Sequence, residues 1–282
     1  MTPILNAISW LIGRLPLRSA LAFGRGLGFV LSCLSRRRRE VIHRIAECLG
    51  VDFPEAARIR RRMYRNLGMT AVEFLRQPHM SAREVRAHLQ FEGLEHVPPE
   101  GMPALALVSH TGNWELLAAA SPLFYPNPLH VVVKALKPES LNTWITRARS
   151  RWGTTIHDRR GSARDLLKVL NRGNLLAFIL DQNAKRNWGV FVDFFGKPAC
   201  TSDGLSQLAA MKQLKTYPVF CRRLEDHRLL VTIRPPLPPP ASRAPEDILA
   251  HTRACTKEIE RFIRLYPDQW IWMHRRWRTQ PE

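Results

Sequence analysis

Leu105-Ala106-Leu107-Val108-Ser109-His110-Thr111-Gly112-Asn113-Trp114-Glu115-Leu116-Leu117 changes character at its centre. A short apolar run stops at a histidine, two turn-forming residues follow, and helical spacing resumes. Residues 104 to 109 read as a buried strand, Gly112 and Asn113 as its turn, and 114 to 120 as the first turns of a helix. His110 then stands at a strand's C-terminal end facing a helix N-terminus, where open α/β sheets hold their ligands. An imidazole there accepts a proton near neutral pH. A carboxylate on its other nitrogen fixes the tautomer and steadies the imidazolium, and Glu115, five residues on, is the expected partner. The same spacing recurs from His79 to Glu84 in a polar segment with no strand before it, which reads as a chance match.

Outward from this unit, strands alternate with helices. Candidate strands at 129 to 134, 175 to 180, 217 to 222 and 229 to 233 interleave with candidate helices near 138 to 151, 162 to 171, 202 to 213 and 245 to 265. That alternation predicts an α/β fold: a mostly parallel central sheet flanked by helices, with a helical amphipathic N-terminal region. The chain reads as helical to about residue 88, where Ile59, Met63, Leu67, Thr70 and Phe74 keep helical spacing with arginines on the other faces. Pro235-Pro236-Leu237-Pro238-Pro239-Pro240 is a stiff connector before the last helix. Trp270 and Trp272 show strand-like alternation, which suits packing on the sheet.

Four blocks in this order carry a family resemblance. Ser109-His110-Thr111-Gly112-Asn113-Trp114-Glu115 resembles the His-x4-acid motif of the lysophospholipid acyltransferase superfamily, in the form used by the bacterial lipid A late acyltransferases (lauroyl and myristoyl acyltransferases). Val131 to Pro138 resembles the second block, a strand ending in a basic residue. Leu180-Asp181-Gln182-Asn183 with Phe194-Phe195-Gly196-Lys197-Pro198-Ala199, Thr201 and Leu208-Ala209 resembles the Asp-Gln and Phe-Gly-x-x-Ala blocks. Gln269 to Trp277 resembles the C-terminal signature, and the match covers nearly the whole chain.

The resemblance implies a membrane-associated O-acyltransferase that moves a fatty acyl chain from an acyl thioester to a hydroxyl of a lipid A precursor or related membrane lipid. His110 is then the general base and Glu115 its orienting partner. Lys134 is expected to bind a headgroup phosphate, with Arg159 and Arg160 as weaker candidates. Asp181, on the same sheet edge, either positions a reacting group or caps a turn. Backbone N–H groups near Gly112, or a side chain of the second block, are expected to hold the oxyanion. A glycerophospholipid, aminolipid or other glycolipid acceptor stays open, as does a non-catalytic basic membrane- or nucleic-acid-binding protein. The latter leaves the His110 block without a role, so no nucleic-acid partner is expected.

The charge narrows the partners. Lys and Arg number 43 against 24 Asp and Glu, a formal +19, and such a surface seeks polyanions. Acyl carrier protein and acyl-CoA both qualify as donor, and the charge favours the acidic carrier. Arg36 to Arg39 follow an apolar N-terminus. Arg14, Arg18 and Arg25 fall within about 40° of one another on a helix, with Leu21, Phe23, Leu27, Val30, Leu31 and Leu34 on the remainder. A helix lying in the membrane interface and kinked near Pro16 fits better than a span or a cleaved signal peptide. The expected organisation is a membrane-associating segment at 1 to 40 and an acyltransferase domain at 41 to 282, on the cytoplasmic face of the bacterial inner membrane. Cys33, Cys48, Cys200, Cys221 and Cys255 are odd in number and dispersed, which argues against a disulfide framework or structural zinc. No His-Glu-x-x-His or carboxylate cluster calls for a metal, and no cofactor is expected.

Overall fold

The structure is a computed structural model and describes residues 2–158, 161 and 163–281. Five helices come first: α1 (Thr2–Arg14), α2 (Leu17–Leu34), α3 (Arg38–Leu49), α4 (Phe53–Arg76) and α5 (Ala82–His88). Strands β1 (Leu89–Glu92) and β2 (Ala104–Val108) lead into α6 (Trp114–Ala120), then β3 (Leu129–Val133), α7 (Glu139–Arg149) and β4 (Thr155–Asp158). The chain continues through α8 (Ala163–Asn171), β5 (Leu175–Ile179), β6 (Val190–Phe194), β7 (Lys197–Thr201), α9 (Gly204–Lys212), β8 (Thr216–Arg223), β9 (Leu229–Ile233) and α10 (Pro245–Leu265).

Seven strands form one sheet in the order β1-β9-β8-β2-β5-β3-β4. Every neighbouring pair is parallel except β8 with β9, which makes this the mostly parallel α/β sheet that the alternation predicts. Strand β2, which leads to His110, is central, between β8 and β5, with Val108 beside Ile179. On one face Leu105, Leu107, Leu176 and Phe220 pack on Ile259 and Phe262 of α10, forming the main core.

Some elements escape the sequence reading. β1 and β4 have only four residues each, too few for a period to show. β6 and β7 pair antiparallel outside the main sheet, and positive φ at Phe195 (58°) and Gly196 (75°) makes the tight turn between them. The buried Phe195 ring stacks near Trp272, at 5.5 Å, and Phe195 N–H donates to Glu260 Oε2 at 2.7 Å. Packing thus sustains a conformation that an aromatic residue seldom adopts.

The N-terminal helices are sutured to α4. α2 turns Gly24 and Gly28 toward it, and a Cβ at Gly28 would sit 2.1 Å from Tyr64 O, so the backbones touch where only glycine fits. Buried Arg60 closes the far end, donating from Nη2 to Ser32 O at 2.6 Å and from Nη1 to Ser32 Oγ at 3.1 Å. The opposite face of α2 stays open: Phe23, Leu27, Val30 and Leu34 are exposed, as are Ile4, Trp10 and Leu11 of α1. Helix α2 is the one described helix long and apolar enough to cross a membrane. The predicted kink near Pro16 is a full break between α1 and α2.

Candidate active site

Parallel register assembles the centre. Val108 and Ile179 are partners, so two residues further along each chain His110 and Asp181 emerge side by side at the C-terminal edge. His110 Nδ1 lies 2.8 Å from Asp181 Oδ1, and the His110 backbone N–H donates to Asp181 Oδ2 at 2.8 Å. Trp270 Nε1–H donates to the same Oδ2 at 2.7 Å. Asp181 is buried and His110 keeps 16% of its side-chain surface. With Nδ1–H given to Asp181, Nε2 carries the lone pair and accepts from Gln182 Nε2–H at 3.1 Å. Burial alone would lower the His110 pKa, but the adjacent Asp181 carboxylate outweighs it and the pKa is raised. Burial likewise opposes ionisation of Asp181, and the His110 and Trp270 contacts hold its pKa below the usual value.

Glu115, the expected orienting partner, makes no hydrogen bond to the His110 ring among the described residues. Its carboxylate is gripped by Arg149, with Nε at 2.7 Å and Nη2 at 2.6 Å, and accepts from Trp114 Nε1 at 3.2 Å. In the first turn of α6, Glu115 faces α7, whereas the sheet delivers Asp181 to the ring. Gly112, near which backbone donors for an oxyanion are expected, has its own N–H engaged. Its N–H donates to Gln269 O at 3.0 Å and is unavailable to an oxyanion. At φ +56°, with a would-be Cβ 2.5 Å from Cys221 O, it serves close approach instead. Trp270 and Trp272 are buried as expected. Trp270 is no sheet strand, however: it makes an isolated bridge to Thr111 besides its bond to Asp181. Lys134 is exposed and lines the cavity beside His110. Arg159 and Arg160 lie outside the described residues. His79 pairs with Ser9, and Glu84 caps α5 through Ser81, so each has its own partner.

Beneath the His110 loop runs a polar stripe that sequence reasoning missed. Asn66, Thr70 and Glu73 of α4, with Gln77 just past its end, recur every three or four residues on one face. Asn66 donates to Asp268 O at 3.0 Å, Thr70 to Gly112 O at 3.1 Å, and Gln77 to Ala148 O at 2.7 Å. Fully buried Glu73 accepts from Asn113 Nδ2 at 2.6 Å and from Arg223 at 2.7 and 2.5 Å, and His88 Nε2 lies 2.9 Å away. Asn113 also caps α6, accepting from Leu116 N–H at 2.9 Å. The available signal was a glutamate and a glutamine on a face that otherwise shares apolar spacing.

Glu73→Gln should destabilise the fold by about 3–5 kcal/mol, because it strands the buried Arg223 charge. Denaturant unfolding of the full chain checks this, and a loss below about 1 kcal/mol would show that the pair is dispensable. Burial opposes the Glu73 charge, yet Arg223 and His88 hold its pKa at about 2. Its contribution to stability is therefore present above the unfolded carboxylate value and is lost as pH falls toward 2.

His110 opens onto a cavity of about 1410 Å³, larger than the usual ~300–1,000 Å³ small-ligand pocket. Ala104, Ala106 and Val108 of β2, Val131 and Val133 of β3, and Ala177 of β5 line it. They alternate along their strands and so share one sheet face. Ala106 stands opposite Ala177 in register, and the small side chains there, with Ala118 and Ala120 of α6 above, leave the space. The rim is cationic, with Lys134, Lys185, Arg275 and Arg278.

A family model described as bacterial lipid A biosynthesis acyltransferase matches residues 2–279. The lipid A biosynthesis lauroyltransferase of Escherichia coli K12 is 27% identical over 285 residues, covering 98% of this chain and 90% of that one. The lipid A biosynthesis palmitoleoyltransferase of the same organism is 26% identical, covering 97% and 90%. A phosphatidylinositol mannoside acyltransferase of Mycobacterium tuberculosis (strain CDC 1551 / Oshkosh) is 26% identical, covering 73% and 66%.

Proposed function

We propose that this chain, which belongs to the bacterial lipid A biosynthesis acyltransferase family, moves a fatty acyl group from an acyl thioester to a hydroxyl of a lipid A precursor. The observation that carries the reading is an imidazole whose Nδ1 is held by a buried carboxylate while Nε2 faces a large, apolar-walled cavity with a cationic rim. In this mechanism Nε2 takes the hydroxyl proton as the oxygen attacks the thioester carbonyl carbon. Asp181 steadies the imidazolium that forms. The tetrahedral intermediate collapses to the ester, the C–S bond breaks, and the Nε2 proton goes to the departing sulfur. Gly112 N–H is engaged, so the oxyanion is assigned to Lys134, a cavity-lining side chain of the second block that also suits an acceptor phosphate. Glu115 acts through Arg149, fixing α6 against α7. The basic surface favours acyl carrier protein over coenzyme A as donor. A different glycolipid acceptor is the second reading, favoured by the similarity to the mycobacterial glycolipid enzyme. Purified transfer assays with each acceptor decide between them.

The acyl chain occupies the alanine-floored face of the sheet. Ala177→Leu should then lower kcat/KM for long-chain thioesters by about tenfold relative to short ones, since added methylenes in an apolar pocket discriminate by about 1–3 kcal/mol. Competition among thioesters of different length measures this ratio. An unchanged preference would place the chain elsewhere.

The exposed apolar faces of α1 and α2, flanked by Arg14, Arg18, Arg25 and Arg36 to Arg39, attach residues 1 to 40 to the cytoplasmic face of the inner membrane. An interfacial position fits better than a span, because α2 lies along α4, whose Arg61, Arg62 and Arg65 are exposed and would be costly in hydrocarbon. Replacing Phe23, Leu27 and Val30 together with glutamate should cut binding to anionic phosphatidylglycerol vesicles by more than about tenfold, given about 1.5–3 kcal/mol per buried side chain. Vesicle sedimentation reads the effect, and undiminished binding would move the membrane face off α2.

A further inference from the structure

The turn after Trp272 carries Arg275, Arg276 and Arg278, and only the middle one is structural. Arg276 is fully buried, donating from Nη1 to Cys200 O at 2.7 Å and from Nη2 to Thr201 Oγ1. Around it Trp277 Nε1–H donates to Phe194 O at 3.2 Å, and Thr279 N–H to Asn183 Oδ1 at 3.0 Å. The turn is thereby fixed both on the β6–β7 hairpin and on the loop that follows Asp181. Arg275 and Arg278 flank this anchor, and both are exposed.

These two side chains line the cavity that holds His110 and also a second cavity of about 540 Å³ beside it. Within that second cavity the acidic groups are matched internally. Glu40 is bonded by Arg37 and by Arg44, the latter at 2.6 Å, and Glu47 is paired with Lys197. Arg275 and Arg278 have no side-chain hydrogen bond or ion pair among the described residues. Two unmatched guanidinium groups, three residues apart on a turn fixed by Arg276, add positive potential to the wall that the two cavities share, which favours an anion there. Their planar donor forks suit the oxygens of a phosphate, which they bind bidentately.

We propose that Arg275 and Arg278 form an anion subsite that holds a phosphate ester of a substrate at the junction of the two cavities. The proposal rests on the acyl-transfer reading. The phosphate belongs either to the acceptor's headgroup or to the donor's carrier arm.

The test uses the full chain in neutral detergent and compares wild type with the double variant Arg275→Gln/Arg278→Gln. Arg253→Gln, at an exposed arginine on α10, controls for bulk charge. Acceptor KM is measured for a phosphorylated lipid and its dephosphorylated form. Donor KM is measured for acyl-CoA and for a phosphate-free acyl N-acetylcysteamine thioester. In the double variant KM should rise about tenfold for the phosphate-bearing member of one pair, as for loss of a charged hydrogen bond. The phosphate-free member and kcat should hold, and the affected pair names the source. Unchanged KM in both pairs, an equal rise for phosphate-free substrates, or the same rise in Arg253→Gln would each overturn the subsite. Equilibrium binding of phosphatidic acid and of free coenzyme A reads it without turnover. If wild type binds neither more tightly than the double variant, the subsite fails, whereas absence of acyl transfer by wild type with intact binding sinks only the acyl-transfer reading.

Discussion

His110→Ala should lower kcat by about 10² to 10⁴, the contribution of a positioned general base, while the protein stays folded. The fold should survive because the ring is partly exposed and, among the described residues, its hydrogen bonds go to Asp181 and Gln182. Asp181 keeps the backbone N–H of residue 110 and the Trp270 indole after the truncation. His79→Ala, altering a histidine bonded to Ser9, should leave kcat unchanged. Transfer near the wild-type rate by purified His110→Ala, with lipid acceptor and acyl thioester at saturation, would remove His110 from the chemistry. The pH profile adds a sign. The base is the neutral imidazole, and Asp181 raises its pKa above the ordinary 6.5. Activity should therefore climb with pH through a value above 6.5 before levelling. The stabilising His110–Asp181 pairing runs the other way, full below the unfolded pKa and lost as pH rises through the folded one.

How much of this centre was legible depends on whether the deciding distance lies along the chain or across it. The strand ending at His110 announced itself, since five apolar residues meet a turn and then a helix. That Asp181 shares the edge also followed, from the parallel alternation. What could not be read was the pairing within the edge. Glu115 is five residues from His110, but α6 turns it toward Arg149. Asp181 is 71 residues away and reaches the ring through strand register. Trp270 looked like packing because alternation reports burial and says nothing about where an indole N–H finds an acceptor. Glu73 left only a faint signal, because an acid on an arginine-rich helix reads as solvent face and its partner Arg223 lies 150 residues on. The glycines of α2 raise the same difficulty. Hydropathy marks that helix as membrane-seeking, but only Gly68 across the interface shows that one face is already committed to α4.

The most direct test of the account is kcat of Asp181→Asn measured beside Glu115→Gln, with acceptor and donor saturating. Asparagine keeps the shape of the side chain but removes the charge that fixes the tautomer and steadies the imidazolium, a change that costs up to about 10⁴ in comparable centres. The account predicts a fall of about 10² to 10⁴ for Asp181→Asn, and a smaller loss for Glu115→Gln, whose partner is Arg149. Wild-type kcat in Asp181→Asn together with a collapse in Glu115→Gln would contradict it and return the orienting role to Glu115.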